Sequence, residues 1–383
     1  MKKKLAALSI FSALVLAACT EEEGKSVKDI EQDKQQVEQA AEKTEKTTRV
    51  AMDHLDREVE IEGEIARVIS GTLTPYYSLW YVATDSTKEL VGMNPTSYST
   101  AKNSILATMS PEVLNASTSF IENGEVNVEE VLKLNPDIQF EPSGSQDLIS
   151  KLESVGVTVA GLNTINANSA DPLSTYDSWL TFTSQLTNTT DRAEHFLKEA
   201  RSVQDDIAES LKDVKEEQQP RVMFIFQHDE NAITITGNNH FGQQWLNSTG
   251  GINVAKEEIT GSKQVNMEQI FEWNPDIIYI TNFTETQPVD LFENKFAGQD
   301  WSQVKAVQEG KVYKVPVGVF RWYPPSGDAP LMLKWMAQKN HPELFKYSME
   351  EEVKKYYKDF YHFDLTDEQI WNILNPSSKV TNG

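Results

Sequence analysis

An internal repeat constrains the fold of this chain more than any other feature. Residues 126–138 read VNVEEVLKLNPDI and residues 265–277 read VNMEQIFEWNPDI. Seven of the thirteen positions are identical, and four of the others exchange one apolar side chain for another. The copies start 139 residues apart, which is the length of a typical α/β domain. The repeat therefore indicates two similar α/β halves within one chain.

Each copy has the sequence signals of a helix followed by a strand. Asn127 and Asn266 are good N-caps, and Glu130 and Gln269 stand three residues later as capping-box partners. The Asn-Pro pair near the end of each copy stops the helix, because proline pushes the preceding residue out of the α region. An apolar strand follows each pair. We expect a helix, a stop and a strand in both copies.

Other short apolar segments surround the repeat. They predict strands at residues 66–69, 89–92 and 157–160 before the midpoint, and at residues 221–226, 233–236 and 311–315 after it. Short apolar strands interleaved with helical stretches are typical of α/β sheets covered by helices. The sequence therefore predicts an N-terminal α/β lobe over residues 49–172 and a C-terminal α/β lobe over residues 220–383.

The longest helical pattern lies between the two halves, within residues 173–219. Asp191 and Glu194 can form a capping box, apolar side chains then recur every three or four residues, and Pro220 closes the pattern. A helix of about 27 residues would be about 40 Å long. Its place between duplicated halves favours a spine across both lobes over a surface helix within one domain. Such a spine would restrict hinge motion.

The start of the chain has the features of an export signal. Residues 1–18 combine three lysines with a short apolar stretch that ends in Leu-Ala-Ala before Cys19. This pattern resembles the lipobox of bacterial lipoproteins, which implies lipidation of Cys19 and an extracytoplasmic protein anchored to the membrane by lipid. Residues 19–48 are polar and lack aromatic side chains, so we expect a flexible tether. The alternative is an ordinary secreted protein with an incidental cysteine.

Composition excludes several functional classes. Lys and Arg total 35 against 58 Asp and Glu, and a formal charge of −23 argues against nucleic acid as a partner. The sequence contains no G-x-S-x-G elbow, no phosphate loop and no G-x-G-x-x-G turn, so we expect no enzyme. The single cysteine excludes a Cys-based metal cluster. A cell-surface hydrolase and, third, a structural adhesin are the alternatives from other classes.

Several stretches together resemble one bacterial family. They are DREVEI at residues 56–61, both copies of the repeat, NSTGGINV at residues 247–254, WSQVKAVQEGKVY at residues 301–313, and LKWMA and HPELF at residues 333–337 and 341–345. In order and spacing the body of the chain resembles the substrate-binding proteins of ABC importers for iron siderophores, haem and cobalamin. The resemblance implies two Rossmann-like lobes joined by a single long inter-lobe helix, with the ligand cleft between the lobes.

The same resemblance implies function and partners. The protein would capture an iron chelate such as a siderophore and deliver it to an ABC permease dimer with its ATPase subunits, with haem or a corrinoid as the alternative ligand. No intrinsic cofactor and no resident metal are expected. In the family one glutamate on each lobe docks onto the permease, and these positions match Glu129 and Glu268. The alternative is that both acids simply favour the dipole of their helix.

The ligand is expected beyond the carboxyl ends of the strands, where open α/β sheets bind their ligands. The loops there contain the predicted ligand-binding residues Tyr76, Tyr77, Ser97, Tyr98, His228, His240, Arg321, Trp322 and Tyr323. The aromatic side chains could wall a large conjugated ligand, or pack in the lobe cores instead. Arg321 could pair with a carboxylate or an anionic iron complex. The scarcity of cations favours a weakly charged chelate, haem or a corrinoid over a tris-catecholate complex.

Overall fold

The computed structural model describes residues 48–166 and 169–378. The strands are β1 (Thr48–Met52), β2 (Glu58–Glu62), β3 (Val68–Ile69), β4 (Leu90–Gly92), β5 (Ile121–Glu122), β6 (Glu125–Val126), β7 (Ile138–Pro142), β8 (Val159–Leu162), β9 (Arg221–His228), β10 (Ile233–Thr236), β11 (Ile252–Asn253), β12 (Ser262–Val265), β13 (Ile277–Ile280) and β14 (Val312–Lys314).

The α-helices are α1 (Tyr76–Thr84), α2 (Pro95–Lys102), α3 (Leu106–Met109), α4 (Val128–Leu134), α5 (Gln146–Glu153), α6 (Ser174–Thr187), α7 (Thr190–Leu211), α8 (Phe241–Thr249), α9 (Met267–Trp273), α10 (Pro288–Phe292), α11 (Lys305–Gln308), α12 (Ala329–Asn340), α13 (Met349–Phe360) and α14 (Asp367–Leu374). Short 3-10 turns lie at Pro111–Asn115, Glu216–Gln218 and Trp301–Gln303. Within the described residues, no helix is both long enough and apolar enough to cross a membrane.

The N-terminal lobe is built on a parallel sheet with the order β4-β3-β7-β8. The expected strands are present with boundaries shifted by one or two residues. A separate antiparallel hairpin, β1-β2, precedes the sheet. Because all four strands run in the same direction, the loops after β3, β4, β7 and β8 meet at one edge of this sheet.

The C-terminal lobe is built on a mixed sheet with the order β12-β10-β9-β13-β14, and β11 also pairs with β9. Strands β9, β13 and β14 are parallel, whereas β10 runs antiparallel between β9 and β12. Alternate residues of β9 face opposite sides of the sheet, as the period of a strand requires. Val222 and Phe224 join one hydrophobic cluster, and Met223 and Ile225 join another.

The two copies of the repeat adopt the same local structure. The side chain of Asn127 accepts hydrogen bonds from the backbone N–H groups of residues 129 and 130, and Asn266 accepts one from that of residue 269. Asn135 and Asn274 end the helices in the left-handed conformation, with φ of 45° and 38°. The N-caps were predicted correctly. The reciprocal half of the capping box was wrong, because each partner side chain bonds within its own helix instead.

Those two partner side chains are diverted by neighbours one turn further on. Glu130 accepts a 2.6 Å hydrogen bond from Lys133 Nζ, and Gln269 Nε2 donates to Glu272 at 3.4 Å. An exposed helix surface offers these i, i+3 partners at little cost.

The segment between the lobes differs from the single long helix expected. It contains α6 and the 22-residue α7, separated by Asn188 in the left-handed conformation. Thr189 is the N-cap of α7 and Asp191 lies within its first turn, so the predicted capping box of Asp191 and Glu194 was wrong. The helix ends at Leu211 rather than near Pro220, and a 3-10 turn covers part of the remaining distance.

Helix α7 nevertheless joins the two lobes. It packs against α1 and α6 on the N-terminal side and against α8 and α12 on the C-terminal side. Val68, Phe196 and Tyr279, from the N-terminal lobe, the spine and the C-terminal lobe, all belong to one hydrophobic cluster. The predicted fold class, two Rossmann-like α/β lobes joined by a long inter-lobe helix, is confirmed.

Candidate ligand site between the lobes

Arg321 lies in the loop that follows β14, at the carboxyl edge of the C-terminal sheet. A bridge between Val317 and Arg321, and a hydrogen bond from the N–H of Gly318 to the carbonyl of Phe320, fold this loop back on itself. Arg321 is only 1% exposed, and its guanidinium carbon lies 4.6 Å from the centre of the Phe283 ring. The loop thus holds a cation inside the protein, stacked on an aromatic face.

The Arg321 guanidinium is not neutralised by any described residue. Its Nε has no hydrogen-bond partner among residues 48–166 and 169–378, and no carboxylate there lies within ion-pair distance of it. Burial lowers the pKa of Arg321 to about 10, so the group is still charged near neutral pH. A buried charge without a partner is costly, and an anion beside it would remove that cost. The surroundings of Arg321 would therefore suit an anion.

Tyr77 brings the N-terminal lobe to the same place. It lies in α1, is fully buried, and packs edge-on against Phe320 with 5.8 Å between ring centres. Its hydroxyl has no hydrogen-bond partner among the described residues. Burial raises the pKa of Tyr77 although the charge of Arg321 opposes the shift, so the hydroxyl stays protonated. Each lobe therefore contributes one unpartnered donor to the junction.

Lys314 lies nearby, in the last position of β14. It is 7% exposed, and its Nζ donates hydrogen bonds to the carbonyl oxygens of Thr281, Thr284 and Thr286 at 2.9, 2.6 and 2.9 Å. Those carbonyls bracket Phe283, on which Arg321 stacks. Lys314 therefore fixes the loop after β13 that completes the surroundings of Arg321.

A buried carboxylate anchors the Arg321 loop from the other side. Asp328 accepts hydrogen bonds from the N–H of Val319 at 2.9 Å, from Trp322 Nε1 at 3.0 Å, and from the hydroxyls of Tyr357 and Tyr361 at 3.1 Å each. Burial raises the pKa of Asp328 to about 6, and these hydrogen bonds oppose the shift. The predicted ligand residue Trp322 is therefore held in the interior as part of this anchor.

The loop also has no room for a side chain at Gly318. A Cβ atom there would lie 2.0 Å from an oxygen of Asp328 and 2.2 Å from the hydroxyl of Tyr357. Glycine at this position lets the anchor approach the backbone closely.

The remaining predicted residues of the C-terminal lobe bond to one another or to their own lobe. The hydroxyl of Tyr323 donates to Nδ1 of His240 at 2.8 Å and accepts from the N–H of Gly242 at 3.2 Å. Burial lowers the pKa of His240 to about 4, so it is neutral near pH 7. His228 Nε2 lies 2.6 Å from the side-chain oxygen of Gln299. Each of these side chains has at least one partner within its own lobe, although Nδ1 of His228 is buried without one among the described residues.

The predicted residues of the N-terminal lobe, apart from Tyr77, also have partners within that lobe or the spine segment. Tyr76 stacks on Phe140 at 3.9 Å, and its hydroxyl lies 2.6 Å from that of Thr183. Ser97 and Tyr98 each donate to a backbone carbonyl, at 2.8 and 3.2 Å. Of the nine residues expected from sequence, Tyr77 and Arg321 are the pair with unpartnered groups at the lobe junction. All nine stay predictions as ligand-binding residues.

Sequence reasoning missed three residues at this site: Phe283, Lys314 and Asp328. The loop after β13 follows a parallel strand just as the other candidate loops do, so the same rule would have found Phe283. A lysine in the otherwise apolar segment Val312–Val315 was a visible signal for Lys314. Asp328 had no comparable signal, because two of its partners, Tyr357 and Tyr361, lie 29 and 33 residues further along the chain.

The two acids expected to dock onto a permease are both exposed. Glu129 and Glu268 lie in the first turns of α4 and α9. One turn later each helix also exposes an apolar side chain, Leu132 at 44% and Phe271 at 40%. The repeat thus presents the same pair, an acid and an apolar group, on both lobes. Cys19, the predicted lipidation site, lies outside the described residues.

Two α/β lobes joined by a helix, with unpartnered polar groups from both lobes at their junction, define a solute-binding protein of the periplasmic type. The chain belongs to the periplasmic binding protein family, whose model matches residues 72–317. It is a substrate-binding component of an ABC importer, as its relatives are, and these are transport proteins rather than enzymes.

Three relatives illustrate the match. A periplasmic solute-binding protein of Veillonella parvula is 31% identical, with a TM-score of 0.77 over 88% of this chain and 99% of the other. The molybdate-binding protein MolA of Haemophilus influenzae is 24% identical over 82% of this chain and 91% of its own length. The uncharacterized ABC transporter substrate-binding lipoprotein YvrC of Bacillus subtilis is 28% identical over 50% of this chain and 58% of its own.

Proposed function

We propose that this substrate-binding protein captures a compact anionic metal species between its lobes and holds it on Arg321. The single observation that carries the proposal is the buried guanidinium, 1% exposed and without a carboxylate partner among the described residues. An ordinary structural arginine behaves differently. Arg192 also lies over a phenylalanine, Phe196, at 5.3 Å, but its guanidinium is paired with Asp85 at 2.8 Å.

The first candidate ligand is a tetrahedral metal oxyanion such as molybdate. Its oxygens are acceptors of the kind that the Nε–H of Arg321 and the hydroxyl of Tyr77 lack within the described residues, and a charge-assisted hydrogen bond to the guanidinium would be strong. The molybdate-binding relative supports this choice. A compact ligand also fits the burial of both groups, because neither lies on an open surface.

The second candidate is the iron chelate expected from sequence, in a compact anionic form. The aromatic rings of Phe283, Phe320 and Tyr77 around the guanidinium favour a ligand with an organic shell. Haem and corrinoids are less well supported. Tyr76, Trp322 and Tyr323, which could have walled a large flat ligand, are buried in internal contacts.

Isothermal titration calorimetry of the folded body against molybdate, tungstate, ferric citrate, haemin and cyanocobalamin tests the proposal. We expect molybdate or tungstate to bind, and R321M to weaken that binding by at least about 100-fold, the cost of losing a buried charge-assisted contact. R192M is the matched control, since it removes an arginine stacked on a phenylalanine outside the site. Oxyanion binding that survives R321M would refute the role of Arg321. Binding of haemin or cyanocobalamin alone would refute the class of ligand.

We also propose that Glu129 and Glu268 dock onto the two permease subunits. The duplication supports this, because two similar acidic surfaces suit a partner made of two like subunits. The N-terminal copy borders a surface cavity of about 660 Å³ whose lining contains Glu122, Glu125 and Glu129 against one cation, Lys151, so a basic partner surface would be attracted there.

The docking proposal is tested in proteoliposomes that contain the permease and its ATPase. The double variant E129A/E268A should lose stimulation of ATP hydrolysis and keep wild-type ligand affinity. The double variant E350A/E368A is the matched control, because Glu350 and Glu368 are also exposed acids in first helical turns, those of α13 and α14. Equal ATPase stimulation by the two double variants would contradict docking through the repeat.

Membrane attachment through Cys19 is the third part of the proposal. The lipobox-like sequence before Cys19 supports it, as does the lipoprotein relative. The protein would then be held at the extracytoplasmic side of the membrane by its lipid and the segment up to residue 48. Fractionation of cells that express C19S should move the protein from the membrane fraction to the soluble fraction. Retention in the membrane would refute a lipid anchor at this residue.

A further inference from the structure

Lys314 is a second buried cation beside the ligand site. It lies at the end of β14, seven residues before Arg321, and it donates three hydrogen bonds, all to carbonyl oxygens. Carbonyl oxygens satisfy the donors of an ammonium group without cancelling its charge. No described carboxylate lies within ion-pair distance of Lys314, so its charge, like that of Arg321, is uncompensated locally.

The geometry connects Lys314 to Arg321 through one loop. Lys314 donates hydrogen bonds to the carbonyls of Thr281 and Thr284. Phe283 lies between these two residues in the loop, and the guanidinium of Arg321 stacks on the face of its ring. The two cations therefore act on the same small region from one lobe. In a water-poor interior, charges this poorly screened influence a bound ion strongly.

The electrostatics of Lys314 agree with this arrangement. Burial, and after it the charge of Arg321, lower the pKa of Lys314 to about 7, whereas Asp290 and Glu285 oppose the shift. Asp290 itself is engaged by Lys295 at 2.7 Å. The two cations thus repel each other in the ligand-free protein, and an anion that neutralises both would relieve the repulsion.

We propose that Lys314 sets the charge selectivity of the site, so that the protein prefers doubly charged oxyanions to singly charged oxyanions of the same shape. This inference rests on the proposed function, because it requires an anion on Arg321, and it adds the charge class of that anion. Lys314 acts as a specificity-determining residue at long range and also positions the loop of Phe283.

Tungstate and perrhenate are suitable probes. Both are tetrahedral ions with four oxygens and similar size, and they differ by one unit of charge. A point charge interacts with a dianion twice as strongly as with a monoanion. The factor by which K314M lowers the affinity for tungstate should therefore be the square of the factor by which it lowers the affinity for perrhenate, for example about 25-fold against about 5-fold. A purely structural effect of K314M would weaken both ions equally.

Lys339 supplies the matched control. Its Nζ lies 4.8 Å from the centre of the Tyr313 ring, and Tyr313 precedes Lys314 in the strand. Neighbouring strand residues point to opposite faces, so Lys339 lies across the sheet from Lys314. K339M removes the same charge from the protein and should leave the tungstate-to-perrhenate ratio unchanged.

The outcomes separate this inference from the proposed function. The inference is supported when two results are found together. K314M weakens tungstate binding by the square of the factor by which it weakens perrhenate binding, and K339M leaves the ratio of the two affinities unchanged. Equal losses for both ions in K314M overturn it, while binding that still depends on Arg321 leaves the proposed function intact. Binding of both ions that survives R321M overturns the proposed function itself. Binding of neither ion by the wild-type protein overturns the charge-selectivity inference.

A measurement on the wild-type protein covers the case in which K314M does not fold. Between about pH 6 and pH 9, Lys314 loses its proton in the ligand-free protein while Arg321 keeps its own. The preference for tungstate over perrhenate should therefore shrink as the pH rises through this range. Binding of tungstate at neutral pH should also take up protons, which shows as a dependence of the heat on the buffer. A ratio that is constant with pH would overturn the inference.

Discussion

The two lobes share a frame but differ in the charges they bury. At the carboxyl edge of the N-terminal sheet, Glu141 is fully buried, and its carboxylate accepts from Gln139 Nε2 at 2.5 Å and from Thr72. At the same edge of the C-terminal sheet lie Lys314 and Arg321, two cations without carboxylate partners among the described residues. The buried carboxylate of the N-terminal lobe is hydrogen-bonded within its own lobe, whereas the guanidinium of Arg321 in the C-terminal lobe has no carboxylate partner among the described residues.

The features that the two lobes share indicate which part of the duplication is structural. In both lobes an aspartate at the end of the repeat binds the start of a neighbouring strand. Asp137 accepts from the N–H groups of residues 66 and 67 at 2.7 and 2.8 Å, and Asp276 accepts from that of residue 221 at 2.8 Å. Arg67 and Arg221 return the contact by donating to carbonyls at the end of the helix. The frame is duplicated, whereas the two buried cations without carboxylate partners, Lys314 and Arg321, lie in the C-terminal lobe.

The largest expected effect concerns the shared frame. D137A and D276A should each destabilise the protein by about 3 kcal/mol, because charge-assisted hydrogen bonds to strand N–H groups are lost in both. Chemical denaturation measures this. Hydrogen bonds from Lys305 and from the N–H of Arg221 lower the pKa of Asp276 although burial raises it, so the cost of D276A should fade as the pH drops below the range where aspartate ionises. A large loss of unfolding free energy in only one of the two variants would contradict the claim that both lobes share this frame.

The anchor of the Arg321 loop should have the opposite pH dependence. The pKa of Asp328 is raised from 3.8 to about 6, so the folded state holds this proton more tightly than the unfolded state. The contribution of Asp328 to stability is therefore greatest at low pH and declines as the pH rises through about 6. Relative to D328N, the wild type should lose about 2–3 kcal/mol of unfolding free energy between pH 4 and pH 7. Parallel pH profiles for the two proteins would rule out this assignment.

Removal of the unpaired guanidinium should stabilise the ligand-free protein. R321M replaces a buried charge by an apolar side chain of similar length, and we expect a gain of about 1–2 kcal/mol, seen as a higher Tm. Saturating ligand should then stabilise the wild type but not the variant. A lower Tm for ligand-free R321M would indicate that Arg321 is paired within the protein, which would contradict the contrast between the lobes.

The smallest effect is expected at Glu141. Burial raises the pKa of Glu141, and hydrogen bonds from Thr72 and Gln139 oppose the shift. E141Q keeps the shape of this group, so both stability and ligand affinity should change by less than about 1 kcal/mol. Calorimetry and denaturation on the same sample measure both quantities. A large loss of ligand affinity in E141Q would indicate that the N-terminal lobe also contributes to the ligand site.

The sequence predicted the frame well, because its signals are local. An asparagine cap, an Asn-Pro stop and a short apolar strand are decided within a dozen residues, and the repeat shows them twice. The position of the long helix α7 was predicted correctly, but its length was overestimated. Its apolar pattern continues past Leu211, and the sequence has no helix-stop signal near that position.

The site was less predictable, because burial and pairing are properties of the tertiary structure. Tyr76 and Tyr77 are neighbours in sequence, yet one stacks on Phe140 and the other meets the opposite lobe. Arg321 and Trp322 are also adjacent, and one lacks a partner while the other bonds to Asp328. Residue type alone cannot separate such pairs. Knowledge of which elements pack against each loop is required.

The most direct test of the central claim is an anomalous difference map from crystals grown with tungstate, measured at a tungsten absorption edge. The account predicts one strong peak between the guanidinium of Arg321 and the hydroxyl of Tyr77, and no such peak in crystals of R321M. A peak elsewhere in the wild-type protein, or an unchanged peak in R321M, would contradict the claim that the buried cation of the C-terminal lobe holds the ligand.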